Sequence, residues 1–243
     1  MTMSKTSKTS KIMTSSNGLA RRDTLSDKLK ARSERVRSAP PDTRTREHLV
    51  MVLDCSGSMS GVCQRDRETG DVSTKLEALH LAAQTLYDRS VSPASMLRTY
   101  LECVVFGTTA RFVDPREGGT EILGATNFAV ALDLAVDKLK RSAGYASRRI
   151  ILMSDGQPTD RDPARLWELV READQYAIVI DTVAFGHDAD HALLEEIAKA
   201  TGGVKHDAIT AEELDRSFKQ LDTATRGLLG SGFPADDSSR SST

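Results

Sequence analysis

Apolar positions along this chain fall into two alternating rhythms. Mostly apolar runs at 48–53, 149–153 and 177–185 predict strands, the first two buried on both faces. Between and after them, apolar residues recur at helical spacing. Leu76, Leu79, Ala82, Ala83, Leu86 and Tyr87 predict a helix over about 75–89, and Phe128, Ala131, Leu132, Ala135, Val136 and Leu139 predict a second. Pro163 sits where a first-turn proline is tolerated and starts a third helix to about Gln175. A fourth covers 192–200 and stops at Gly202-Gly203. A fifth runs from Ala211 to about Thr225. Segments 97–106 and 109–113, joined by Gly107-Thr108, predict a hairpin, and 204–207 a short strand.

This alternation implies an α/β fold, with a doubly wound, mostly parallel central sheet flanked by helices and one antiparallel edge strand. In such folds ligands bind beyond the carboxyl ends of the strands, at a topological switch point. Asp54 and Asp155 both fall at such strand ends.

The ends of the chain follow neither rhythm. Residues 1–46 are expected to form a disordered basic arm rich in Ser, Thr and Lys, with a short solvated helix at 23–38 before Pro40-Pro41. Residues 47–226 form the expected domain, and 227–243 a low-complexity, disordered tail. Of 243 residues, 39% are hydrophobic, which suffices for one sizeable core.

Net charge is −2, unevenly spread. Residues 1–47 hold 12 Lys and Arg against 5 Asp and Glu. With +7 there, the remainder carries −9. The whole is therefore no basic nucleic-acid binder, and aromatics at 5% offer no stacking surface. Any nucleic-acid contact is weak, salt-dependent and confined to the arm. The first residues lack an apolar core of the secretory kind, and no window is apolar enough to span a membrane. Three cysteines, Cys55, Cys63 and Cys103, do not suit a disulfide scaffold. A cytoplasmic location with no membrane partner is the expectation. Cys55 and Cys63 with His80 match no common zinc spacing. His187 and His191 also lack a third ligand at matching spacing.

The most specific signal is 48–61, where an apolar run breaks into Asp54-Cys55-Ser56-Gly57-Ser58. One carboxylate and two hydroxyls at alternate positions are small, hard oxygen donors suited to a hard divalent cation. Arg148 to Gly156 repeats the logic, an apolar strand ending in Asp155-Gly156. Between them Gly124-Ala125-Thr126-Asn127 opens a helical segment.

Asp-x-Ser-x-Ser, a Thr at a helix start and a strand-terminal Asp-Gly together resemble the von Willebrand factor A (vWA) domain family over roughly residues 47 to 226. In that family these loops form the metal-ion-dependent adhesion site (MIDAS). The resemblance implies a vWA/Rossmann-like fold and the metal ligands Asp54, Ser56, Ser58, Thr126 and Asp155. It implies Mg2+ or Mn2+ as the ion and a partner protein whose Asp or Glu carboxylate fills the open position. Thr120, after Gly118-Gly119, competes with Thr126; Thr126 is preferred because Asn127 and a helix follow it. Gly124-Ala125 replaces the family's double glycine. Residues 62–72 are a charged insertion after the metal-binding turn, with Arg65 and Arg67 as candidate partner contacts.

The expected function is a non-enzymatic, metal-dependent protein-interaction module of the small intracellular prokaryotic type, serving as a scaffold or regulatory subunit. The alternative is a metal-dependent hydrolase or phosphotransferase on a similar sheet. Haloacid-dehalogenase-like phosphatases need a general acid two residues after the strand-end Asp, and Ser56 stands there. Neither a Gly-x-x-x-x-Gly-Lys-Ser/Thr loop nor a Gly-x-Ser-x-Gly elbow is present.

Overall fold

The computed structural model describes residues 46–65, 72–90, 98–116, 121–159 and 162–230. The arm before Arg46, the helix at 23–38, the end of the tail, Thr120 and Arg67 lie outside these residues.

The main sheet has six strands: β1 (Arg46–Asp54), β4 (Arg98–Phe106), β5 (Ala110–Val113), β6 (Ser147–Ser154), β7 (Val179–Phe185) and β8 (Lys205–Ala208). Their order is β5-β4-β1-β6-β7-β8. Only the β4–β5 pair is antiparallel, as hairpin partners must be. The remaining strands, β2 (Val62–Arg65) and β3 (Val72–Thr74), pair with each other alone.

Among the described residues, five helices cover the sheet: α1 (Lys75–Ser90), α2 (Phe128–Lys140), α3 (Pro163–Gln175), α4 (His191–Ala200) and α5 (Ala211–Gly230). Successive β1 residues point to opposite faces, so one strand feeds two cores. Leu49, Met51 and Leu53 pack with Leu79 and Leu86 of α1 and Phe218 of α5. Val50 and Val52 pack with α2, α3 and α4 through Leu132, Leu169 and Ile197. Burial on both faces is why these strands read as continuous apolar runs.

The chain leaves β1 for β4 on one side and later returns to β6 on the other. The switch point therefore lies between β1 and β6, where Asp54 and Asp155 emerge.

Two expectations change in detail. Residue 177 does not begin β7; Ala177 has φ 53°, a left-handed conformation that ends α3. The insertion at 62–72 is not a plain loop. Its described ends pair as β2 and β3, and the Lys75 amide donates to Gly61 O at 2.8 Å, closing the base of a hairpin. Its polar residues hide the pairing from hydrophobic periodicity, which reads only strands with a buried face.

Candidate metal centre

β1 and β6 run parallel in register, Leu53 beside Met153. Their next residues are therefore neighbours. Ser154 donates its hydroxyl to Asp54 Oδ2 at 2.5 Å, and Asp155 follows. Asp54, Ser154 and Asp155 are all fully buried.

The loop after β1 folds back on its own carboxylate. The Ser56 amide donates to Asp54 Oδ1 at 2.7 Å, a local Asp turn. A 3-10 turn, Gly57–Ser60, follows, and buried Met59 pins it to the core. This brings Ser56 Oγ within 3.0 Å of Ser58 Oγ, and Ser58 donates to Asp155 Oδ1 at 2.6 Å. Four of the five expected ligands thus form one hydrogen-bonded chain.

The third loop is latched to the first by backbone bonds. Gly57 donates to Gly124 O at 2.8 Å and Leu123 to Cys55 O at 2.7 Å. Gly124 takes φ +82°, so the left-handed residue of this turn is the glycine, and Ala125 needs no such conformation. Thr126 is fixed by Thr159, whose amide and hydroxyl both donate to Thr126 O. Asn127 then caps α2 by accepting from the Val130 amide at 3.1 Å.

Thr126 is only 6% exposed, yet its Oγ1 makes no hydrogen bond among the described residues. Both Thr126 Oγ1 and Ser58 Oγ border the space beside Gly156. A Cβ at Gly156 would lie 3.8 Å from the first and 3.4 Å from the second. The centre is thus a cradle left open by a glycine, floored by two carboxylates and edged by hydroxyls. Among the described residues no three His, Cys, Asp or Glu side chains converge. The donor set is all oxygen, two acids plus hydroxyls, which fits magnesium or manganese rather than a soft ion.

Burial pushes the Asp54 carboxyl above the usual carboxylate range. Hydrogen bonds from Ser154 and Ser56 pull it back, and the charge of Asp155 pushes it further up. Two buried acids side by side call for a compensating cation. Lys75, the first residue of α1, supplies one: its Nζ lies 2.7 Å from Asp155 Oδ2.

Lys75 and Ser154 were not foreseen from the sequence. A Thr-x-x-Glu capping signal at Thr74–Glu77 locates the helix start beside Lys75, but its carboxylate partner is 80 residues away. Of the candidate partner contacts, Arg65 ends β2. Asp181 is taken up in an ion cluster with Arg149, and His191 pairs with Asp207 at 2.7 Å. Cys55 is buried, and burial pushes its thiol up to about 12. Cys63 Sγ meets Thr74 O at 3.4 Å.

A family model described as von Willebrand factor type A domain matches residues 113–207, which include Thr126 and Asp155 and begin after the Asp54–Ser58 loop. Inter-alpha-trypsin inhibitor heavy chain H4 of Sus scrofa is 24% identical over 202 residues, covering 78% of this chain and 22% of that protein. Its Homo sapiens counterpart is 28% identical over 203 residues, covering 72% and 20%. The chain spans about a fifth of the length of these curated relatives. Among solved structures, a von Willebrand factor type A protein from Catenulispora acidiphila superposes with a TM-score of 0.59 at 22% identity, over 73% of this chain and 42% of that one. Proximal thread matrix protein 1 from the mussel byssus, with a zinc-occupied MIDAS motif, gives 0.58 at 15% identity, over 74% and 46%. At these identities the structural likeness shows the fold.

Proposed function

We propose that this chain, whose family-model match and relatives support the von Willebrand factor type A family, is a metal-dependent protein-interaction module. Asp54, Ser56, Ser58, Thr126 and Asp155 would hold Mg2+ or Mn2+. The observation that carries this reading is the cradle beside Gly156, bordered by Ser58 Oγ and by Thr126 Oγ1, which makes no hydrogen bond among the described residues, over two buried carboxylates. A bound ion supplies an electrophilic position that attracts a carboxylate of a partner protein. Asp54 and Asp155 balance its charge, directly or through bound water. Ser154 and the Ser56 amide orient Asp54, and Ser58 orients Asp155. Arg65, at the end of β2, and Arg67, in the same insertion by sequence, would pair with the same acidic partner segment.

A hydrolase reading draws no support from the centre, because the position two residues after Asp54 holds a serine hydroxyl, which is no general acid. Three free thiols favour a reducing, cytoplasmic setting. The motif set supports a small intracellular prokaryotic-type member, and the motifs with the alternating strand and helix pattern support residues 47–226 as one domain.

Titration calorimetry with Mg2+ and Mn2+ tests the centre. Wild type binds, Asp155→Ala abolishes binding, and Thr126→Ala weakens it about tenfold, the loss of one neutral oxygen ligand. Cooperative unfolding of Thr126→Ala stays intact, because its Oγ1 holds no other group in place among the described residues. Equal affinity in wild type and Asp155→Ala overturns the assignment.

A further inference from the structure

Resting on that reading of the centre, we propose that Lys75 is its built-in counter-cation. A divalent ion then loads by exchange against the Lys75 ammonium, and Lys75 sets the affinity for the metal.

Four observations place it. First, both Asp155 oxygens are already engaged, Oδ1 by Ser58 and Oδ2 by Lys75 at 2.7 Å. The Asp155 side chain is fully buried and that of Lys75 only 14% exposed, so solvent screens the pair weakly. Second, Lys75 occupies the first turn of α1, where the helix dipole disfavours a cation. Its position is therefore not explained by the helix. Third, that position is held from three sides. The Thr74 amide bonds Glu77 Oε2 at 2.8 Å, the Glu77 amide bonds Thr74 Oγ1 at 3.2 Å, and the Lys75 amide bonds Gly61 O at 2.8 Å. Fourth, the end of β7 makes room for the ammonium. Gly186 has φ +91°, and a Cβ there would come within 3.2 Å of Lys75 Nζ.

An ion bound to Asp155 and a fixed ammonium on the same carboxylate repel each other. Without metal the ammonium stabilises Asp155 beside Asp54; with metal it must give way. The centre thus passes between two compensated states rather than between a charged void and a filled site. Lys75 directly follows Thr74, the last residue of β3, so the β2–β3 pair also fixes where the helix and its ammonium begin.

The test is Mg2+ titration calorimetry on full-length wild type, Lys75→Gln and Lys75→Arg, with thermal unfolding of each in Mg2+ and in chelator. Lys75→Gln is expected to bind Mg2+ about tenfold or more tightly than wild type, as removal of a nearby cation requires. It is also expected to melt below wild type in chelator, widening the gap between the two conditions. Lys75→Arg keeps the charge and the wild-type affinity. An independent readout on the wild type itself is the Lys75 Nζ resonance, identified by its absence in Lys75→Arg, which should shift as Mg2+ is added. Wild type that binds Mg2+ while Lys75→Gln binds equally or more weakly overturns the counter-cation and leaves the metal centre standing. A Lys75 resonance that stays still while Mg2+ binds does the same. Absence of Mg2+ binding in both wild type and Lys75→Gln overturns the counter-cation and the metal centre together.

Discussion

Ser154 donates its hydroxyl to Asp54 Oδ2 at 2.5 Å across the seam between β6 and β1. Ser154 Oγ in turn accepts from the Gly156 amide at 3.3 Å. One strand-end serine therefore links both acid-bearing loops. Ser154→Ala leaves a fully buried carboxylate short of one charge-assisted hydrogen bond. The expected cost is about 1.5–3 kcal/mol at neutral pH. Guanidinium unfolding at unchanged m-value measures it. A loss below about 0.5 kcal/mol would show that Asp54 does not depend on this bond.

Much of the frame was legible because its physics is local. β1, β6 and β7 are buried on both faces and read as apolar runs, and α2 announces itself by Asn127 and a regular stripe. Asp54 and Asp155 were legible as acids breaking such runs. Ser154 was not, because its role needs the β1–β6 register, which no single segment contains. Lys75 was hidden for the same reason, its partner lying on a strand end distant in sequence. The β2–β3 pair was hidden because the sequences VCQR and VST are too short and too polar to show an alternating apolar pattern.

A second buried charge cluster sits on the sheet away from the candidate metal centre. Arg149 is 2% exposed and meets Asp181 Oδ2 at 2.7 Å, Glu47 Oε1 at 3.4 Å and Leu221 O at 3.3 Å. Asp181 Oδ1 in turn accepts from the Val204 amide at 2.8 Å. Arg149→Met fills much of the volume but removes the cation shared by two buried acids. The expected cost is about 3–5 kcal/mol. Chemical denaturation checks it, and a loss under about 1.5 kcal/mol would mean the acids take up protons cheaply instead. Mg2+ affinity should stay at the wild-type value, since none of these groups touches the centre.

The end of α3 offers a stabilising change. The Ile178 amide donates to Ala173 O at 2.8 Å and the Ala177 amide to Asp174 O at 2.9 Å, the paired bonds of a Schellman cap. The left-handed residue of that cap is Ala177, at φ 53°, where glycine carries no Cβ penalty. Ala177→Gly relieves that penalty while adding freedom to the unfolded chain, so the net gain is about 0.5–1 kcal/mol. A raised melting temperature with an unchanged m-value is the expected result; a lowered one would show that the Ala177 methyl packs usefully.

Acid sensitivity should centre on His48. This residue is 1% exposed, with Nδ1 2.6 Å from Ser142 Oγ and Nε2 2.7 Å from Glu102 Oε2. The rings of Tyr100 and Tyr145 stand 4.9 and 5.1 Å away, and Lys138 pairs with the same Glu102. Burial holds the imidazole below its ordinary value of 6.5; Glu102 opposes that shift, and Lys138 adds to it. Burial also lowers His206. A group whose folded pKa lies below its unfolded one is protonated first in the unfolded chain. Over that interval the unfolded state binds more protons, so stability rises with pH. The stability supplied by neutral His48 is therefore complete above pH 6.5 and drains away as pH falls through that value toward the folded pKa. His48→Gln keeps hydrogen-bonding capacity without a proton to gain. Its unfolding free energy, followed from about pH 8 to pH 5, should be lower than wild type at the top and fall less steeply toward the bottom. A variant curve parallel to wild type across that range would assign the acid sensitivity to His206 instead.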